Sequence, residues 1–216
     1  MLKPIVAAVL AAVVAVGQPL SPDRKVTSNV IVSERDPAVR IELPKSVEYV
    51  GADRWILYGI ADCELHAFVE VGVDKEVQRL YWIQFEQYVP SRPDLHHTYD
   101  SPRHANIGGL DFYVDTWVRS KNDKIEPGSD REHIEALLRA KNYRMPESMG
   151  YVRFVHLLDA EKRKELMIIY GEDLAPTGLS ADDLKENGRA YDRWPLIEST
   201  LIEIAEKQIQ IQQLPQ

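Results

Sequence analysis

The chain has 216 residues, of which 34 are acidic and 26 are basic, giving a formal net charge of −8 at pH 7. The lysines and arginines are scattered among carboxylates, whereas a nucleic-acid surface needs clustered basic residues, so we expect no nucleic-acid partner. The single cysteine excludes an intramolecular disulfide, and the chain must therefore be stabilised by its core.

The first 17 residues have the composition of a secretory signal peptide. Lys3 supplies a positive charge, and Ile5 to Val16 form an apolar run shorter than the roughly 20 residues of a membrane-spanning helix. Ala15 and Gly17 are small residues placed for cleavage before Gln18. We therefore expect a secreted or periplasmic protein with no transmembrane segment after cleavage. The alternative is an uncleaved signal anchor or an apolar N-terminal helix.

Residues 18–28 are polar and contain two prolines, which predicts a flexible lead-in, and residues 29–216 are expected to form a single domain. Alternating apolar residues, bounded by turn residues, predict a succession of strands. The predicted strands are 29–34, 38–43, 54–60, 62–72, 77–88, 110–119, 151–158 and 164–171. The turns between them include residues 51–53 and 73–76.

Helices are predicted only in the second half of the chain. Ser129 and Glu132 form a capping box that opens a helix at about 130–141. Ser180 caps a short helix, and an amphipathic helix at about 195–209 closes the domain. Because the predicted order is a run of strands, a helix, two strands and then helices, and not a repeated βαβ alternation, we expect an α+β fold. Its mainly antiparallel sheet would have about six to eight strands, with the mid-chain helix and the C-terminal amphipathic helix packed on it.

The connection between strands 77–88 and 110–119 is the first candidate site. It runs from about 89 to 109, and loops beyond about 12–15 residues are usually functional or disordered. Three of the six histidines fall within residues 94–104, DLHHTYDSPRH. A zinc site would use His96 or His97, Asp100 and His104, although this spacing matches no standard zinc signature and Pro102 prevents a regular helix there.

The strands on either side of this loop carry the second candidate site. On 77–88 one face holds Trp82, Gln84, Glu86 and Tyr88, and on 110–119 one face holds Asp111, Tyr113, Asp115 and Trp117. If the two strands pair, these eight residues form a surface suited to a ligand with apolar faces and polar edges. Glu86 with Asp111 or Asp115 would be a carboxylate pair. The alternative is that helices cover this face and the aromatic side chains simply pack there.

Three further segments favour structural roles. Cys63 shares a strand face with Leu65 and Ala67 and is expected to be a buried small side chain. His66 lies on the opposite, acidic face and is expected to be partly exposed. Residues 161–165, EKRKE, are interpreted as a mixed-charge hairpin turn.

No catalytic, phosphate-binding or metal signature is present in the sequence, which leaves three functional hypotheses. The first is a non-catalytic module that binds a small molecule, glycan or peptide with loop 89–109 and the adjacent strand face, and needs no cofactor. The alternative is a hydrolase, with or without zinc, that uses the histidine loop or a carboxylate pair. An envelope protein partner is a third possibility, which would require a large apolar patch.

Overall fold

The computed structural model describes residues 20–215, so the predicted signal peptide at 1–17 lies outside the described residues. The strands of the described part are β1 (Lys25–Thr27), β2 (Val30–Glu34), β3 (Ala38–Glu42), β4 (Glu48–Leu57), β5 (Ala61–Val71), β6 (Val77–Tyr88), β7 (Arg103–Ile107), β8 (Leu110–Ser120), β9 (Ser148–Leu157), β10 (Lys164–Asp173) and β11 (Gln210–Gln213). Its α-helices are α1 (Asp130–Ala140), α2 (Ala181–Leu184) and α3 (Trp194–Gln208). None of these helices is both long enough and apolar enough to cross a membrane.

The strands form two antiparallel sheets. The larger has seven strands in the order β4-β5-β6-β10-β9-β8-β7, and the smaller has four in the order β1-β2-β3-β11. The small sheet and α3 pack on one face of the large sheet, and their shared core includes Ile41, Phe68, Phe112, Phe154 and Leu201. α1 packs on the opposite face through Ile134 and Leu138. The prediction of an α+β fold with a mainly antiparallel sheet is confirmed.

Most predicted elements are present with boundaries shifted by a few residues, and the predicted hairpin of β9 and β10 is formed. Strand 77–88 has the predicted bounds, and Ser129 caps α1 by accepting a hydrogen bond from the Glu132 amide. The capping box at Ser180 and Asp183 opens α2 as predicted. These elements depend on local signals that a sequence carries directly.

The turn predicted at residues 51–53 is wrong. These residues lie inside β4, and Gly51, at φ 154°, follows a register shift next to Tyr49 that marks a β-bulge. A glycine within a strand commonly marks a bulge because it tolerates a backbone conformation that other residues rarely adopt. The turn before β5 instead contains Tyr58 and Gly59, both at positive φ.

Three short strands were not predicted. β1 lies in the segment expected to be a flexible lead-in, β7 lies at the end of loop 89–109, and β11 follows the last helix. Nor do strands β6 and β8 pair with each other, because β10 and β9 lie between them. Their candidate residues share a face of the large sheet but are separated by three strand spacings, about 14 Å.

Candidate ligand-binding site

The face of the large sheet beneath α1 is built from cross-strand rows of side chains. One row runs Cys63, Glu86, Glu165, and a parallel row two residues away along β6 contains Gln84 and Met167. Trp82, Ile169, Arg153 and Asp115 form the next row, and Tyr151 and Trp117 belong to the one after it. The rows therefore change along the strands from acidic to aromatic and apolar.

A cavity of about 380 Å³ lies between α1 and the aromatic end of this face. Its apolar walls are formed by Leu80, Trp82, Trp117, Ile134, Leu138, Met145, Tyr151, Met167 and Ile169. Its polar lining is formed by Arg119, Lys124, Glu126, Ser129, Asp130, Arg131, Glu135 and Arg153. We call this space, defined by these residues, the α1 cavity. An apolar cleft with a few convergent polar groups is the usual form of a small-molecule site.

Three residues lining the α1 cavity have buried polar atoms with no hydrogen-bond partner among residues 20–215. These atoms are Nε1 of Trp117, Oδ1 of Asp130 and Nε of Arg153. Buried polar atoms are satisfied in the great majority of cases, because an unpaired one costs about 1–3 kcal/mol. Two donors and one acceptor on the residues that line this one cavity therefore have no partner within the described part of the chain.

The aromatic wall is held in place by packing. The rings of Trp117 and Tyr151 stack at a centroid distance of 5.3 Å and an interplanar angle of 14°. The Tyr151 ring lies over Gly171 of the neighbouring strand, where a Cβ atom would be 2.7 Å from Cε1 of Tyr151. Glycine at this position therefore allows the ring to lie flat on the sheet and to form the wall.

The guanidinium of Arg153 is positioned by the long loop. Its Nη2 donates to Asp115 at 2.7 Å, and Ser101 of the loop donates to the other oxygen of that carboxylate at 2.7 Å. The guanidinium also lies 5.3 Å from the centre of the Tyr99 ring. Loop residues thus fix a side chain of the cavity without lining the cavity themselves.

Asp130 supplies negative charge at the cavity wall. It is the first residue of α1, where a carboxylate interacts favourably with the helix dipole. Burial nevertheless raises the pKa of its side chain above the ordinary value of 3.8. A ligand that donates a hydrogen bond or carries positive charge would compensate for that burial.

The acidic end of the same face contains a second group of titratable side chains, two of which are buried. Glu86 and Glu165 are directly opposed on β6 and β10, and His97 of the loop completes a set whose ligand atoms lie within 4.8 Å of one another. Burial raises the pKa of both carboxyl groups, and the charge of Glu86 raises that of Glu165 further. Burial lowers the pKa of His97, which is therefore neutral at pH 7.

The loop that carries the histidines is packed against the sheet. Of the candidate zinc ligands His96, His97, Asp100 and His104, only His97 is buried, and the others are exposed. The structure therefore does not bring the expected set of ligands together. His97 instead meets the two sheet glutamates, which no spacing within the loop would have indicated.

The eight strand residues expected to bind a ligand lie in different surroundings. Trp82 and Trp117 line the α1 cavity, and Gln84 is hydrogen-bonded both to Trp82 and to Glu86 of the acidic end. Tyr88 stacks on His97. Tyr113 contacts the rings of Tyr99 and His104, and Asp115 holds Arg153. Asp111 is exposed in the β7–β8 hairpin, where it accepts from Asn106. Neither aspartate pairs with Glu86, whose carboxylate neighbour is Glu165.

Sequence reasoning missed Asp130, Tyr151, Arg153 and Glu165 as site residues. Asp130 follows the N-cap Ser129, where the sequence indicates only the start of a helix, and Glu165 belongs to the charged run interpreted as a turn. Period-two alternation predicts that Tyr151 and Arg153 share one face of β9 and that Glu165 lies on one face of β10. The sequence does not show that β10 and β9 lie between β6 and β8, and this strand order is what brings these residues beside the residues of β6.

Comparison with known proteins adds no family to this description. No protein-family model matches the chain, and searches of curated proteins and of solved structures found no match either.

Proposed function

We propose that this protein binds a small molecule in the α1 cavity, one with a flat apolar ring and both hydrogen-bond acceptors and donors on its edge. The observation that carries the proposal is the set of three unpaired polar atoms, on Trp117, Asp130 and Arg153, around one apolar cavity. A ligand that pairs with all three would remove three desolvation penalties at once.

The chemistry of the walls narrows the class of ligand. The indole N–H of Trp117 and the Nε–H of Arg153 require acceptors, whereas the Asp130 carboxylate requires a donor or a cation. The stacked pair of Trp117 and Tyr151 offers a flat surface to a ring. A volume of about 380 Å³ is near the lower end of the range of roughly 300–1,000 Å³ for small-molecule sites. This size favours a small molecule over the glycan or peptide that the sequence left open.

The long loop contributes to this function indirectly. Ser101 and Asp115 form a hydrogen-bonded chain that ends on Arg153, so the loop sets the direction of the guanidinium. The proposal is for binding without a reaction, in keeping with a sequence that carries no recognised catalytic signature.

Nuclear magnetic resonance of the indole N–H groups tests the proposal. Suitable probes are nicotinamide, adenine and 4-hydroxybenzoate, which combine a ring with acceptors and donors, and toluene serves as a ring without polar groups. We expect at least one polar probe to shift the Trp117 indole signal and to leave that of Trp55 unchanged, since Trp55 does not line the cavity although its Nε1 is also buried and unpaired. The proposal fails if none of the polar probes shifts the Trp117 signal, or if toluene shifts it as strongly as they do.

A further inference from the structure

The acidic end of the sheet face has the form of a metal site. Glu86 and Glu165 come from adjacent strands and His97 from the loop, and one ligand atom of each lies within 4.8 Å of the other two. Nδ1 of His97 is already 3.0 Å from Oε2 of Glu165. Ligand atoms about 2.0 Å from a tetrahedral zinc ion are about 3.3 Å apart, so a modest inward movement of the side chains would complete the geometry.

Two of the three side chains are buried and Glu86 is half-buried, and none of them has a lysine or arginine partner in the described part of the chain. His97 and Glu165 are 6% and 3% exposed, and Nε2 of His97 has no hydrogen-bond partner among the residues that the structure describes. In the described part of the chain, Glu86 is hydrogen-bonded to the neutral groups of Cys63 and Gln84, and no lysine or arginine forms an ion pair with either glutamate. Two facing carboxylates in a protein interior are costly unless a cation or a proton compensates their charge.

Neighbouring groups hold each side chain in place, as they do around metal sites. Tyr99 donates to Glu165 at 2.7 Å, and Gln84 donates to Glu86 at 3.1 Å. The His97 ring stacks on Tyr88 at 4.4 Å, and its backbone amide donates to the carbonyl of Lys162 at 2.7 Å. The imidazole is thus positioned by both its ring and its backbone.

We propose that Glu86, His97 and Glu165 form a binding site for a divalent transition-metal ion. One imidazole nitrogen and two carboxylate oxygens form a donor set of the kind that binds Zn²⁺ or Mn²⁺, and a divalent ion would neutralise the two carboxylates. Three protein ligands leave at least one coordination position for water or another small ligand. The site is separate from the α1 cavity, so either proposal can fail without the other.

Metal titration of the full chain tests this inference. Protein stripped with a chelator is titrated with Zn²⁺ in competition with a chromophoric zinc indicator, and its thermal unfolding is followed with and without Zn²⁺. We expect one zinc ion per chain and a zinc-dependent rise in the midpoint of unfolding. Glu165→Gln and His97→Ala should each weaken zinc affinity at least 100-fold.

His96→Ala is the matched control, because it removes an adjacent but exposed imidazole and should leave zinc affinity unchanged. Glu86→Gln, which keeps the shape of the side chain, provides a second ligand variant whose folding is checked by circular dichroism. Two results would overturn the inference: no stoichiometric zinc binding by the wild-type chain, or an equal loss of affinity in His96→Ala and in folded Glu86→Gln.

Discussion

Glu64 fastens the N-terminal segment to the large sheet, and its charge should make a measurable contribution to stability. Its carboxylate, 1% exposed, accepts hydrogen bonds from the backbone amides of Asp23 and Arg24, both at 2.8 Å. It also meets the guanidinium of Arg24 at 3.0 Å and Nε2 of His66 at 2.9 Å. Substituting Glu64→Gln removes the charge and places an amide group among these donors.

The magnitude follows from the pKa of this carboxyl group. Burial alone would raise the pKa, but the hydrogen bonds from His66, Asp23 and Arg24 and the charge of Arg24 outweigh it and lower the pKa from 4.5 to about 2. At about 1.4 kcal/mol per pH unit, this difference corresponds to about 3 kcal/mol of folding free energy. Since the folded-state pKa is the lower one, the contribution is fully present above pH 4.5 and is lost as the pH falls toward 2.

Urea unfolding of the wild-type chain and Glu64→Gln at several pH values between 7 and 2 provides the assay. We expect the difference in free energy of unfolding between them to fall by about 3 kcal/mol over this range, because most other ionisations cancel in the comparison. Glu34→Gln, at an exposed ion pair with Lys25, should change little at any pH. A difference for Glu64→Gln that does not vary with pH would refute the reasoning.

Two further predictions concern the wall of the α1 cavity and the long loop. Gly171→Ala should destabilise the protein by about 1–3 kcal/mol and weaken probe binding, because the new methyl group displaces the Tyr151 ring. Gly72→Ala is the control, since its methyl group meets only the flexible end of Gln78. Equal effects of the two substitutions on thermal unfolding would contradict this account. Arg163→Met should speed amide hydrogen exchange in residues 89–97, because its guanidinium donates to the carbonyls of Arg92 and Leu95 at 2.9 and 2.7 Å. Unchanged exchange there would show that the loop is held by other contacts.

The elements of the fold were largely predictable, because hydrophobic alternation and helix caps are local signals. The placement of the sheet strands was not. β6 and β8 flank the long loop in sequence, yet β10 and β9 lie between them, and this order is decided by packing of distant segments. For that reason a carboxylate pair of Glu86 with Asp111 or Asp115 was proposed from the sequence, whereas the carboxylate next to Glu86 in the structure is Glu165.

Burial was the second property that the sequence did not reveal. His66 was expected to be partly exposed because it shares a strand face with acidic residues, but it is 1% exposed, and Glu64 and Tyr49 both contact its ring nitrogens. The small sheet and the N-terminal segment cover that face of the large sheet. Trp82 and Trp117, which the sequence proposed as ligand-binding residues, both line the α1 cavity, and their role in binding stays a prediction.

The α1 cavity can be tested most directly by the affinity of the best polar probe for two tryptophan variants. Trp117→Phe keeps an aromatic wall but removes the indole N–H, so the acceptor of the probe loses its partner. Trp55→Phe removes an equally buried and unpaired indole N–H that lies outside the cavity. We expect Trp117→Phe to weaken binding about tenfold, which corresponds to about 1.4 kcal/mol, and Trp55→Phe to have no effect. Equal affinities for the wild-type chain and Trp117→Phe would contradict the assignment of the α1 cavity as the binding site.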